Sequence, residues 1–307
     1  MADTDRSNSA SPVAVDKDSD GVVRGQTALD ALIKLLDVQQ LKPDVYQGFS
    51  PESRPMRVFG GQVAAQALVA AGRTVPDDRT VHSLHSYFLR PGNPKEPITY
   101  RVDRARDGRS FTTRRVVADQ RDVPIFTLSA SFQINEAGLD HQLTMPTMPA
   151  PESLPSYAER LAGASNAGPW ADVPRPVDIR YVSEPPWSRR PGSREPGARS
   201  QVWFRADGVM PADPLMHICL LTYVSDLFLL DSVLATHGRN PNVGNLQMAS
   251  LDHAVWFHRP IRTDDWVLYD ITSPSASGAR GLGLGYFFAA DGQMLATVVQ
   301  EGLVRLH

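Results

Sequence analysis

Residues 87–91 read Tyr-Phe-Leu-Arg-Pro, and residues 256–260 read Trp-Phe-His-Arg-Pro. The match extends downstream of both segments. Arg109 and Gln133 follow the first proline at 18 and 42 residues, and Arg280 and Gln300 follow the second at 20 and 40. One shared Arg-Pro pair would carry little weight, but an ordered set of positions implies an internal repeat. Each block also follows a helical segment. Residues 60–72, GGQVAAQALVAAG, consist of small residues suited to close packing, with Gly72 as a stop. Residues 215–234, LMHICLLTYVSDLFLLDSVL, form an unusually apolar second helix. After the first helix, residues 82–89, 98–106, 110–120 and 125–133 read as strands. In the last of these, Phe126, Leu128, Ala130 and Phe132 share one face, while Thr127, Ser129, Ser131 and Gln133 share the other. One helix followed by several strands, twice over, predicts an α+β fold of two tandem units. Each would wrap a mostly antiparallel sheet round one helix.

The rest of the chain fits around these units. Residues 1–25 are acidic and rich in Ser and Asp, as expected of a disordered tail. The first unit is expected over 26–140, a Pro-rich linker over 141–175 and the second unit over 176–307. From Thr27, TALDALIKLLDV places Leu29, Leu32, Ile33 and Leu36 at helical spacing behind a threonine cap. Eleven of the 25 prolines lie between Pro146 and Pro196, which excludes a continuous helix or sheet there. The linker should therefore lie outside both cores, with short extended pieces such as VDIRYVSE before the strand QVWFRADG.

Composition narrows the function classes. The 307 residues carry 31 basic and 34 acidic side chains, for a net charge of −3. No global field favours nucleic acid or an anionic membrane. The lone cysteine, Cys219, excludes an intrachain disulfide framework and a four-cysteine zinc site, and it fits a reducing, cytoplasmic setting. The first residues lack the apolar core of a secretory signal. No apolar run reaches the roughly 18 residues of a membrane span, so none is expected.

Familiar catalytic signatures are absent. There is no G-x-S-x-G, H-E-x-x-H or P-loop pattern. Gly281-Leu-Gly-Leu-Gly285 imitates part of a dinucleotide fingerprint, but it sits in a strand block with no helix opening after it. No cofactor or metal is expected. His253 and His258 read as packed or hydrogen-bonded residues rather than ligands, since no carboxylate or cysteine stands at a supporting spacing. Arg90 and Arg259 fit either phosphate binding or a fold corner held through backbone bonds.

The anomaly is Asp226, set among Leu220, Leu221, Val224, Leu227 and Phe228. Desolvation there should raise its pKa towards the range of a general base. The other reading makes Ser225-Asp226 the cap of a second short helix. Gln300 shares its strand face with Ala296, Val298 and Val304, so it needs partners. An ordered water and a structural role both remain open. Ser250 precedes the strand LDHAVWFHRP, where its hydroxyl could simply bond the backbone.

Several segments together resemble the acyl-CoA thioesterase II family of bacteria. They are Phe59-Gly-Gly-Gln62, His82-Ser-Leu-His-Ser-Tyr-Phe-Leu-Arg-Pro91, Asp107-Gly-Arg-Ser-Phe111 and Tyr223-Val-Ser-Asp-Leu227. To these are added Leu251-Asp-His-Ala-Val-Trp-Phe-His-Arg-Pro260, Ser275-Ala-Ser-Gly-Ala-Arg280 and Val299-Gln-Glu-Gly302. The resemblance covers roughly residues 27–307 and implies a double hotdog fold and hydrolysis of fatty acyl-CoA. The family's catalytic aspartate, threonine and glutamine fall on Asp226, Ser250 and Gln300, with serine in place of the usual threonine. The resemblance implies that these three hold and activate the attacking water. The amides of Gly60 and Gly61, with Gln62 beside them, are the candidates for binding the oxyanion and the substrate. The acyl chain would lie in an apolar groove between the halves, and a homo-oligomer is expected.

Two alternatives have sequence features of their own. Asp213-Pro-Leu-Met-His217 distantly resembles the Asp/His motif of a hotdog enoyl-CoA hydratase, with different spacing and no asparagine. A non-catalytic acyl-CoA-binding protein would keep the groove but have no use for a buried Asp-Ser-Gln set.

Overall fold

The computed structural model describes residues 22–51, 57–162, 174–185, 187–189, 192, 197, 199–240 and 246–307. Two helices without a polar face set its architecture. In α2 (Gly60–Gly72) every residue from Gly61 to Ala71 is buried, and in α4 (Pro214–Phe228) the same holds from Met216 to Ser225. A helix that is apolar all round must be enclosed, and these two partly enclose each other. A Cβ added to Gly61 would lie 2.5 Å from the Tyr223 carbonyl oxygen, and one on Gly72 would lie 2.6 Å from Leu215 Cδ2. The start of each helix therefore crosses the end of the other, and at Gly61, against a backbone carbonyl, only glycine permits the distance.

Around this pair runs one antiparallel sheet. The N-terminal half supplies β1 (Gln39–Lys42), β2 (Val45–Gly48), β3 (Arg79–Phe88), β4 (Ile98–Asp107), β5 (Phe111–Gln120) and β6 (Val123–Ile134). The C-terminal half supplies β7 (Val177–Tyr181), β8 (Arg199–Ala206), β9 (Leu246–Ser250), β10 (Asp252–Phe257), β11 (Val267–Ser277), β12 (Arg280–Ala289) and β13 (Met294–Leu306). The order is β1-β2-β4-β5-β6-β3-β10-β13-β12-β11-β8-β7, with β9 added on β13. Read outward from the β3–β10 seam, the two halves repeat the same sequence of strands. In that seam His85 faces Ala254, with Tyr87 opposite Asp252 and Ser83 opposite Trp256. The Tyr-Phe-Leu-Arg-Pro and Trp-Phe-His-Arg-Pro match equates these same residues in pairs. The seam thus lies on a pseudo-twofold axis, as the internal repeat implied.

The arginines of the repeat have a structural role. Arg90 donates to the Pro124 carbonyl at 2.8 Å and Arg259 to the Met294 carbonyl at 2.8 Å, each fastening the start of its half's last strand. The fold-corner reading therefore holds for both. The equation of Gln133 with Gln300 does not survive. Gln300 lies opposite Gly283, whereas the β6 residue with corresponding neighbours is Ala130, opposite Leu84 and Arg114. A shift by a few residues along a strand is invisible to spacing alone, because hairpin lengths differ between the halves.

Other expectations are revised. Residues 1–21 of the expected tail lie outside the described residues, and Val22 and Val23 are already buried. Helix α1 (Gly25–Leu36) starts before Thr27, behind Arg24, with no side-chain cap bond. Within 141–175 the chain forms a short turn of 3-10 helix at Pro151–Ser153 and then α3 (Tyr157–Ala162). Met145, Met148 and Leu154 pack on the C-terminal half of the sheet, against a cluster of Trp203, Trp266, Leu268, Phe288 and Met294. Trp203 also donates its indole hydrogen to the Pro149 carbonyl at 3.1 Å. The described part of the linker is a cover, and Tyr157 of α3 packs against the main core as well. Finally, Pro214–Thr236 is long and apolar enough to cross a bilayer by length and composition, contrary to the expectation of no such run. Most of it is buried in the fold, and it breaks at Leu229–Leu230 into α4 and α5 (Asp231–Thr236).

The helix crossing gives a direct test. Gly61→Ala pushes a methyl group against a backbone carbonyl that cannot rotate away, an overpacking cost of about 1–3 kcal/mol. Thermal unfolding should show a lowered Tm. A variant as stable as the parent would contradict the close crossing.

Candidate active site

Asp226 sits in the last turn of α4, where that helix crosses the start of α2. It is inside the helix, so it caps nothing; α5 begins behind Leu230 without a side-chain cap bond. Its carboxylate is partly buried. Gly61 donates its amide hydrogen to Asp226 Oδ2 at 2.8 Å, and Ser250 donates its hydroxyl to Oδ1 at 3.0 Å. A Cβ on Gly60 would stand 2.7 Å from Oδ2, so glycine is needed here to seat the carboxylate on the helix.

Ser250 ends β9, opposite Gly302 of β13. Gln300 lies one inward position away on that strand and is 1% exposed, among the buried Ala296 and Val298. Its Nε2 donates to Ser250 Oγ at 2.8 Å. Its Oε1 is 2.6 Å from His253 Nδ1, and His253 Nε2 is 2.7 Å from Ser225 Oγ. The structure therefore joins Asp226, Ser250 and Gln300 in one hydrogen-bonded chain, which continues through two residues that the sequence did not single out for the site. His253 is hydrogen-bonded, as its sequence context implies; its partner is not legible in the sequence, because His253 and Gln300 meet only across the β10–β13 pairing.

Burial pushes the Asp226 carboxyl above its ordinary range, while His253, Ser250, Gln300 and the Gly61 amide pull it back down. Burial pushes the His253 imidazole below its ordinary range, against the attraction of Asp226. A carboxylate raised by desolvation yet held by donors is suited to taking a proton at moderate pH.

The remaining candidates divide. Gly61 already gives its amide to Asp226, so it is not free for an oxyanion. Gln62 points away: its Nε2 donates to the Phe49 carbonyl at 2.8 Å and to Ser50 Oγ at 3.1 Å. Its conspicuous place in the Phe-Gly-Gly-Gln segment reflects loop anchoring. Asp213 accepts from the Leu215 amide as the N-cap of α4, and His217 pairs with Thr263 at 3.1 Å. The hydratase-like motif is thus used up structurally.

The pKa direction fixes a stability prediction. A carboxyl whose folded pKa lies above its unfolded value favours the unfolded chain once it ionises. The penalty is absent below the ordinary aspartate range, near ~3.9, and grows as pH rises through the folded value. Asp226→Asn should therefore match or exceed the parent Tm at neutral pH, with the difference closing in acid. A large loss of Tm at neutral pH would show that the carboxylate supports the fold.

The chain matches two family models, one described as acyl-CoA thioesterase over residues 175–303 and one as acyl-CoA thioesterase N-terminal domain over residues 50–133. It is 38% identical to acyl-CoA thioesterase 2 of Haemophilus influenzae, over 90% of this chain and 98% of that protein. It is 42% identical to the acyl-CoA thioesterase II TesB2 of Mycobacterium marinum, whose crystal structure matches with a TM-score of 0.74 over 90% of this chain and 98% of that one. A hot dog fold protein of Alicyclobacillus acidocaldarius, 20% identical, shares the fold with a TM-score of 0.72 over 90% of this chain and 98% of its own. Two hotdog units in tandem, joined through the β3–β10 seam, therefore describe the architecture, and the chain belongs to the acyl-CoA thioesterase family.

Proposed function

We propose that this protein hydrolyses fatty acyl-CoA to a free fatty acid and coenzyme A by direct attack of water, with Asp226 as the general base. The observation that carries the proposal is the Asp226 carboxylate, raised by burial and supported by Gly61 and Ser250 at the crossing of α2 and α4. A thioester carbonyl is reactive enough for an oriented water to attack it. Asp226 takes the proton from that water. Ser250 and Gln300 fix the carboxylate and the water, which supplies orientation. With Gly61 engaged, the Gly60 amide in the first turn of α2 is the donor we assign to the developing oxyanion. The tetrahedral intermediate then expels the coenzyme A thiolate, which takes up the proton that Asp226 accepted from the water and returns the base to its ionised form.

Cys219 supports a route without a covalent enzyme intermediate, because it is buried inside α4 and burial pushes its thiol up. The acyl-CoA-binding alternative leaves the Asp226 arrangement without a use, since a carboxylate raised by burial is a cost to a mere binder. A cavity of about 270 Å³ in the C-terminal half, between α5 and the β9–β13 edge, is lined in part by His237, Arg239 and Arg280, of which Arg280 also pairs with Glu301 at 2.9 Å. We extend the proposal to a cytoplasmic, homo-oligomeric enzyme of lipid metabolism. Exposed Tyr87 on β3 and Phe111 on β5 support self-association, and light scattering giving a monomer would refute it.

Thiol release tests the reaction. Asp226→Asn keeps size and hydrogen bonding but cannot accept the proton, so kcat should fall by roughly 10²- to 10⁴-fold. In the parent, kcat/KM should decline in acid with a pKa above the ordinary aspartate range. Ser250→Ala should cost about 1–3 kcal/mol of transition-state stabilisation, while Ser250→Thr keeps the hydroxyl and should retain activity. Parent-level release by Asp226→Asn would end the general-base reading. Loss of an enoyl chromophore without thiol release would favour hydration instead.

A further inference from the structure

The proton count along the site chain has only one solution when Asp226 is ionised and His253 is neutral. The carboxylate has no hydrogen to give, so the single Ser250 hydrogen goes to Oδ1 and Ser250 Oγ must accept. It accepts from Gln300 Nε2 at 2.8 Å, which turns Gln300 Oε1 towards His253 Nδ1 at 2.6 Å. An amide oxygen cannot donate, so His253 Nδ1 must carry a hydrogen. In a neutral imidazole Nε2 is then bare and accepts from Ser225 Oγ at 2.7 Å. Every hydrogen in the series points towards Asp226, an arrangement in which each bond polarises the next. Ser225 Oγ also lies 2.7 Å from the Thr222 carbonyl, where its hydrogen goes in the other imidazole tautomer.

The pseudo-twofold provides an internal control. The match of the two Arg-Pro segments equates His253 with Leu84. Leu84 faces Ala130, the counterpart of Gln300, and both are buried apolar residues. On α2, Gly72 lies against Leu215 as Asp226 lies against Gly60 at the other end of the crossing. The half without a carboxylate at the crossing thus also lacks the histidine–amide pair. A role in folding would call for the pair in both halves, since both pack the same seam. A role in the site calls for it in one.

We propose that His253 is a positioning residue for hydrolysis: as the Nδ1–H tautomer, backed by Ser225, it fixes the Gln300 amide so that Ser250 points its hydrogen at Asp226. This rests on the Asp226 reading above. Without His253 the amide can turn over and offer its oxygen to Ser250, drawing the hydroxyl hydrogen away from the base. The burial that lowers the imidazole's basicity keeps it neutral and suits it to this fixed role.

Steady-state kinetics on one saturated acyl-CoA separate the outcomes. His253→Leu installs the residue of the sister half and should lower kcat about 10-fold or more, the effect of one misdirected hydrogen bond, with KM little changed. His253→Asn presents an amide N–H near the Nδ1 position and should recover most of that loss. In a Gln300→Ala background, His253→Leu should cost nothing further, because its effect passes through the amide. This double variant reproduces the buried apolar pair of the N-terminal half, so it also keeps the comparison available should His253→Leu alone fold poorly. Imidazole ¹⁵N shifts should report Nδ1–H for the signal that disappears in His253→Asn. The positioning role fails if Gln300→Ala is impaired while His253→Leu is not, if the two losses add in full, if asparagine gives no recovery, or if the signal reports Nε2–H. Parent-level kcat in both Asp226→Asn and Gln300→Ala would instead remove the underlying reading, and the role of His253 with it.

Discussion

The bond from the Gly61 amide to the Asp226 carboxylate is where fold and chemistry meet. It spans the two halves of the chain, since Gly61 opens the N-terminal core helix and Asp226 closes the C-terminal one. It forms only because the helices approach closely, which requires glycine at 61 against the Tyr223 carbonyl and at 60 against the Asp226 carboxylate itself. A helix N-terminus is a favourable place for negative charge, so the crossing that packs the core also holds a partly buried carboxylate ionisable. Neither half possesses the arrangement alone.

The tandem architecture explains why the site occurs once in the chain. A pseudo-twofold axis through the β3–β10 seam relates two crossings of α2 and α4. At one stand Asp226 and Gly60, and at the other Gly72 and Leu215. The sheet follows suit, with Gln300 and His253 in one half where Ala130 and Leu84 fill the other. Strand β9, which delivers Ser250, corresponds to the start of β3, where Val81 stands opposite Phe132 as Ser250 stands opposite Gly302. Burying polar groups is costly unless each finds a partner. The polar network is accordingly complete in one half, and the other half is apolar at the corresponding positions.

The Pro-rich segment shows the same economy of surface. Its prolines keep it out of the sheet, yet Met145, Met148 and Leu154 shield Trp203 and Trp266 on the C-terminal half of the sheet. An antiparallel sheet with apolar residues on both faces needs a second cover, and the segment between the units supplies it.

Much of this was present in the sequence. Periodicity distinguished helices from strands, because apolar residues at helical spacing and alternating residues in strands are local signals. The repeated Arg-Pro segments revealed two similar units, since related folds keep the residues that pin their corners. Resemblance to a family pointed to Asp226, Ser250 and Gln300. What the sequence could not supply was register. Spacing equated Gln133 with Gln300, whereas pairing equates Ala130, because loop lengths differ between the halves while hydrogen-bonded neighbours do not. The partners of Gly61, Gln62 and His253 were likewise decided only in three dimensions. An amide at a helix start looks free in a sequence, and it is engaged or free according to which distant side chain the packing brings to it.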